Sequence, residues 1–172
     1  MNANLFENKF VRDKSAAKEL YGFWFLKRPI MLFVHIAMAV CISFYIITIC
    51  SGILSFSELS FPIFLIIFYW VLLFVSYLSQ VSTMVKRDSE LANGGELLCE
   101  ITVTDREITH ISRGNTQSIG FDKVKYAFST QNYVAVVTEA KYVYMIKNDG
   151  FTLGDSESFI AFLRGKGIKV RR

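Results

Sequence analysis

Four basic side chains stand in two pairs, Lys27-Arg28 and Lys86-Arg87, and each pair abuts a long stretch without charge. Their chemistry is electrostatic: a Lys or Arg beside anionic headgroups gains about 1 kcal/mol. Basic residues also flank the cytoplasmic ends of membrane spans as a rule. The four are therefore assigned to orientation first and to lipid-headgroup contact second. The residue types that catalysis draws on are scattered. His110 has no Cys, Asp or Ser neighbour in a triad or metal motif, and alternates with Ile108 as a surface or partly buried strand residue would. Gly150-Phe151-Thr152-Leu153-Gly154 precedes a helix, whose N-terminus could hold an anion, but it lacks the Lys-Ser/Thr pair of a phosphate loop, and Asp155 would repel phosphate. Asp149, Asp155 and Glu157 lack the regular ligand ladder of a calcium loop. Cys41, Cys50 and Cys99 have neither zinc nor redox spacing and read as small apolar fillers. No catalytic residue, metal or cofactor is predicted, and the chain is read as non-enzymatic.

The elements that position these residues begin with two apolar runs, Ile30–Leu54 and Phe61–Val85, neither holding a Lys, Arg, Asp or Glu. Each is about 25 residues, or about 37 Å as a helix, against a hydrocarbon core of about 30 Å. A soluble core helix carries a polar stripe, whereas Leu32, Phe33, Val34 and Ile36, like Leu65, Ile66, Ile67 and Phe68, leave no polar face. A transmembrane helical hairpin follows. With the basic pairs at its ends and only Glu58 in the turn Ser55–Ser60, both termini are expected in the cytoplasm of a multi-pass cell-membrane protein. Glu7, Asp13 and Glu19 precede the first run where a cleaved leader would be basic, so that span is expected to be retained. His35 is ionisable within the first span. It lies about six residues, roughly 9 Å, past Pro29, and is expected to stay neutral and bond locally rather than relay protons. Ser43, Thr48 and Ser51 can return their hydroxyls to backbone carbonyls. There is no GxxxG pair, and Ala37 with Cys41 offers only a weak close approach, which leaves a homo-oligomer open.

Before the hairpin, residues 1–28 form an arm. A short strand is possible over Asn4–Arg12, Asp13 caps a helix, and Ser15–Lys27 reads as an amphipathic helix along the cytoplasmic membrane surface, with Pro29 setting the bend into the bilayer. The hairpin occupies residues 29–93. Its second helix is predicted to run unbroken from Pro62 to Ala92, into the cytoplasm, and to end at Asn93-Gly94-Gly95. Residues 96–172 then change period from helical to alternating: Leu97, Cys99, Ile101 and Val103 point one way, Leu98, Glu100 and Thr102 the other. Further strands are predicted at Glu107–Ser112, Gln117–Phe121, Lys123–Phe128, Tyr133–Thr138 and Tyr142–Lys147. Asp155 caps a last helix that buries Phe159, Ile160 and Leu163 on the sheet, and Ile168–Arg172 trails off. The fold class is thus a two-helix transmembrane hairpin followed by a small α+β cytoplasmic domain, expected to be soluble when expressed by itself. The net charge of +4 is spread among interleaved acids, so nucleic acid is not an expected partner.

Phe151-Thr152-x-Gly154, the helix with Phe159-Ile160-x-Phe162-Leu163, Lys166-Gly167-Ile168-Lys169, and the segment Ile119-Gly120-Phe121-Asp122-Lys123-Val124 followed by Tyr133–Lys147 are packing motifs. Together with the arm-and-hairpin layout they resemble the bacterial YcxB-like family. That resemblance implies a pleckstrin-homology-like domain, a bent antiparallel sheet capped by the C-terminal helix, and brings no catalytic residues. Whether Leu5–Val11 adds a strand to that sheet stays open. The function expected is a binding, scaffold or regulatory module, with the bilayer and a cytoplasmic protein, peptide or anionic lipid headgroup as partners. The alternative is a small transport or toxin self-protection protein acting through an oligomerised hairpin.

Overall fold

In the computed structural model residues 3–27, 29–52 and 60–171 are described, the side chains of residues 27, 29, 30, 60 and 61 excepted. Arg28 and most of the expected external turn, Glu58 included, lie outside the described residues. The chain divides into two compact units, one made of Met1–Leu20 with Thr83–Arg172 and the other of Tyr21–Ser82.

The first unit contains two sheets. Alternation along Leu97–Val103 (β2) buries Leu97, Cys99, Ile101 and Val103, as expected of a half-buried strand. It pairs with Glu107–Ser112 (β3), which pairs with Asn115–Gly120 (β4). The open question of the arm is answered here. Phe6–Arg12 (β1) lies inside this sheet, between β2 and Phe151–Leu153 (β8), giving the order β4-β3-β2-β1-β8. Its register on β2 runs antiparallel from Phe6↔Val103 to Arg12↔Leu97. β1 and β2 are thus a β-hairpin whose connection is the whole helical part of the chain. The compact unit is accordingly wider than residues 96–172, and that stretch alone, contrary to the expectation of a soluble domain, would leave β2 and β8 with unpaired edges.

The second sheet has the order β7-β6-β5-β9, from Val143–Lys147 (β7), Tyr133–Thr138 (β6), Val124–Ser129 (β5) and Val170–Arg171 (β9). β6 is buried at every position, as its continuous apolar run requires of a strand covered on both faces. Two segments differ from expectation. Phe151–Leu153, read as a turn before a helix cap, extends beside β1. The basic C-terminal segment, read as a tail, makes a short parallel pair with β5, Ala127↔Val170 and Phe128↔Arg171. The domain is therefore mixed rather than wholly antiparallel.

The last helix, Ser156–Gly165 (α4), starts as predicted. Asp155 accepts from the backbone N–H of Glu157 and Ser158, both at 2.9 Å, and the bond from the Ser158 backbone is the chief reason its carboxyl sits below the usual range. Phe159, Ile160 and Leu163 are buried. The ring of Phe6 meets those of Phe159 and Phe162, each at 5.4 Å, so β1 and α4 share one core. Gly154 permits this contact: its φ is 78°, and a Cβ there would stand 2.5 Å from the Phe6 ring.

Helix Lys14–Lys27 (α1) opens on Asp13, which accepts from Ser15 N–H at 2.8 Å and Ala16 N–H at 3.2 Å. Its early turns do not form a free surface helix. Ala16, Ala17 and Leu20 are buried, and Glu19 accepts from the Thr130 hydroxyl at 2.5 Å and the Asn132 backbone at 3.1 Å. Helix Ser60–Leu91 (α3) is long and unbroken, as the pattern predicted, and stops where Asn93 and Gly94 take positive φ of 48° and 79°. Its last turns belong to the sheet unit. Arg12 at the end of β1 donates through Nε to Asp88 Oδ2 at 2.8 Å and through Nη2 to Oδ1.

In the helical unit, Pro29–Cys50 (α2) and α3 are long and apolar enough to cross a membrane. Their large side chains face outward; Phe33 is 70% exposed and Phe74 62%. Ser43, Thr48 and Ser51 return their hydroxyls to the carbonyls of Ala39, Tyr45 and Ile47 at 2.8–2.9 Å.

Candidate functional site

The inner face of the five-stranded sheet changes character along its length. On β3 the inward positions read Ile108, His110, Ser112; on β4 they read Ile119, Gln117, Asn115. The register aligns the change, pairing His110 with Gln117 and Ser112 with Asn115. On β1 the same face passes from buried Phe10 to Arg12, which pairs with Leu97 of β2. A fully packed sheet would keep apolar residues at such positions. Here a cavity of about 490 Å³ opens instead. The β3–β4 turn adds Arg113, whose φ of 52° followed by Gly114 at 78° makes the two-residue turn that a tight hairpin needs. Leu91 and Asn93, at the end of α3, supply the remaining wall.

The lining is rich in donors, and no Asp or Glu lines the cavity among the described residues. Arg12 is engaged by Asp88, itself only 8% exposed. His110 lies 5.6 Å from the Tyr144 ring between centroids. Burial, with the Arg12 charge behind it, pushes its pKa below the ordinary histidine range. The ring is therefore neutral near pH 7, with one nitrogen donating and one accepting. Burial likewise raises the Cys99 thiol, which faces the packed interior. Among the described residues the side chains of Asn93, His110, Arg113, Asn115 and Gln117 have no hydrogen-bond partner. The arrangement can hold a polar ligand. It does not pair a nucleophile with a base, and no group of three His, Cys, Asp or Glu poised for a metal occurs among the described residues.

Of the four basic residues singled out in the sequence, Lys86 and Arg87 are exposed on α3, with Lys86 4.0 Å from Glu90 one turn on. The side chain of Lys27, and Arg28, lie outside the described residues. His110 is half-buried, within the span of surface and partly buried outcomes expected of it. Sequence reasoning missed the rest of the cavity. The signal was present in the pattern: Ile108-x-His110-x-Ser112 and Asn115-x-Gln117-x-Ile119 are strands whose apolar alternation fails at the same end.

The helical unit holds a smaller, apolar cavity of about 280 Å³, lined by Phe25, His35, Trp70 and Tyr77 among others. His35 bonds locally, as expected: Nε2 is 3.3 Å from the Phe25 carbonyl, and the ring stacks on Trp70 with centroids 5.1 Å apart.

Comparison with protein-family models, with curated proteins and with solved structures returned no match.

Proposed function

We propose that this chain is a non-enzymatic, membrane-anchored binding module, with its two long helices in the bilayer and its sheet unit in the cytoplasm. The observation that carries the binding role is the donor-rich cavity where the inner face of the sheet turns polar. Anchoring is supported by the helices. A soluble protein rarely exposes apolar patches beyond a few hundred Å², yet Phe33, Phe44, Ile47 and Phe74 are each more than 60% exposed. Lys86 and Arg87 just past the apolar part of α3 support cytoplasmic ends. The strand-rich unit with its C-terminal helix supports the pleckstrin-homology-like reading of the YcxB-like resemblance, which implies one bent antiparallel sheet where the chain has two sheets and one parallel strand pair.

Accessibility labelling of the full chain tests the anchoring. In a background without Cys41 and Cys50, a cysteine at Ser57 is expected to react with an impermeant thiol reagent added outside intact cells. One at Arg87 is expected to react only after permeabilisation. External labelling at Arg87 would refute the topology.

A further inference from the structure

We infer that the cavity takes an oxyanion, as a phosphate or carboxylate group, and that Asp88 acts as a built-in competitor for the same arginine. The inference deepens the binding-module reading and rests on it. An arginine has five N–H donors in a planar fork. Arg12 spends Nε–H and one Nη2–H on Asp88, which leaves the other Nη2–H and both Nη1–H without a partner among the described residues. Arg12 lines the cavity, and so does Arg113, whose guanidinium has no partner among the described residues either. His110 and Gln117 add neutral donors. An oxyanion is the group that such a set satisfies, because charge-assisted bonds to Arg are about twice as strong as neutral ones.

The competitor comes from a different element. Asp88 lies on α3, close before the cavity-wall residues Leu91 and Asn93, and both its carboxylate oxygens are held by Arg12. Its charge offsets the guanidinium and repels an incoming anion in a partly desolvated place. Occupancy of the cavity and the Arg12–Asp88 pair are therefore linked. A ligand that binds Arg12 weakens its hold on α3, and a weakened hold favours the ligand, as reciprocity of coupled equilibria requires.

The test uses the full chain in nanodiscs of phosphatidylcholine with isotope-labelled histidine. The sequence has two histidines, so His110 is read directly, with His35 as the internal reference. Inorganic phosphate, added against chloride of matched ionic strength, is expected to shift the His110 ring signals saturably and leave those of His35 in place. Asp88→Asn keeps size and removes charge, and is expected to bind phosphate about tenfold more tightly. Arg113→Asn suits the positive φ at that turn and is expected to bind about tenfold more weakly. It provides the second reading should Asp88→Asn impair folding. If replacing part of the lipid by phosphatidylglycerol moves His110 without added phosphate, and more so in Asp88→Asn, the oxyanion is a headgroup. Equal or weaker phosphate binding by folded Asp88→Asn overturns the competition. A His110 signal that ignores phosphate and phosphatidylglycerol in all variants overturns the oxyanion site. A saturable response to a neutral polyol alone would overturn it too, while leaving the binding module standing.

Discussion

A fragment confined to residues 96–172 is expected to aggregate, and a chain lacking residues 1–12 is expected to lose its cooperative melting transition. β1 lies between β2 and β8, so its removal leaves two facing edges with unpaired backbone groups. It also removes Phe6 and Phe10, 8% and 5% exposed, from the core. Losing a buried Phe costs about 3–5 kcal/mol, and a small domain holds about 5–15 kcal/mol in all. Two such losses, with a sheet divided, exceed what the remainder can absorb. The loss of Ala16, Ala17, Leu20 and the Glu19 bonds to Thr130 and Asn132 worsens the longer truncation. Sedimentation and circular dichroism of the fragment provide the check. A soluble, monomeric fragment that melts cooperatively would mean that β1 is dispensable.

Leu163→Ala is expected to cost about 2–5 kcal/mol, because it empties a fully buried site between α4 and the sheet. Arg164→Ala, one residue on and exposed, is expected to change stability by less than about 0.5 kcal/mol. Lys166 is a poorer control, since its Nζ donates to Asp105 at 2.7 Å and sits 5.3 Å from the centre of the Phe162 ring. Thermal denaturation of the detergent-solubilised chain distinguishes the pair. Equal, small effects at Leu163 and Arg164 would mean that α4 is not docked.

Several elements are legible from local pattern alone. α3 declares itself by unbroken apolar periodicity ended at Asn93-Gly94, α4 by Asp155 and the spacing of Phe159, Ile160 and Leu163, and β6 by its apolar run. β1 was harder for a physical reason. Its inward face includes Asn8, which breaks the apolar alternation, and Asn8 is buried because it accepts from Lys147 N–H at 3.3 Å and donates to the Lys147 carbonyl at 2.7 Å. Its ladder partner β2 also lies beyond the entire helical part of the chain, so no turn signal announces the pairing. β9 is disguised by charge: Arg171 lies over the Tyr126 ring at 4.7 Å, where its apolar stem and guanidinium both find contact. The cavity follows from the same long-range pairing. Arg12 reads as one more charge in a basic arm until register sets it opposite Leu97, on the face that carries His110 and Gln117.

The helical part of the chain is inserted between two paired strands of one sheet, and cross-strand cysteines test this arrangement most directly. Lys9 and Glu100 are register partners on the outer face, joined by an ion pair of 2.5 Å. Directly opposed residues in an antiparallel ladder have Cα atoms about 4.5–5.5 Å apart, within the range a disulfide spans. Mild oxidation of the full chain in membranes, lacking Cys41 and Cys50 and carrying Lys9→Cys with Glu100→Cys, is expected to yield a near-complete intramolecular disulfide. Lys9→Cys with Thr102→Cys, displaced by two residues on the same face, is expected to react far more slowly. Mass spectrometry of the linked peptides reports both. Comparable or absent cross-linking in the two chains would contradict the β1–β2 pairing, and with it the inserted hairpin and the cavity that Arg12 completes.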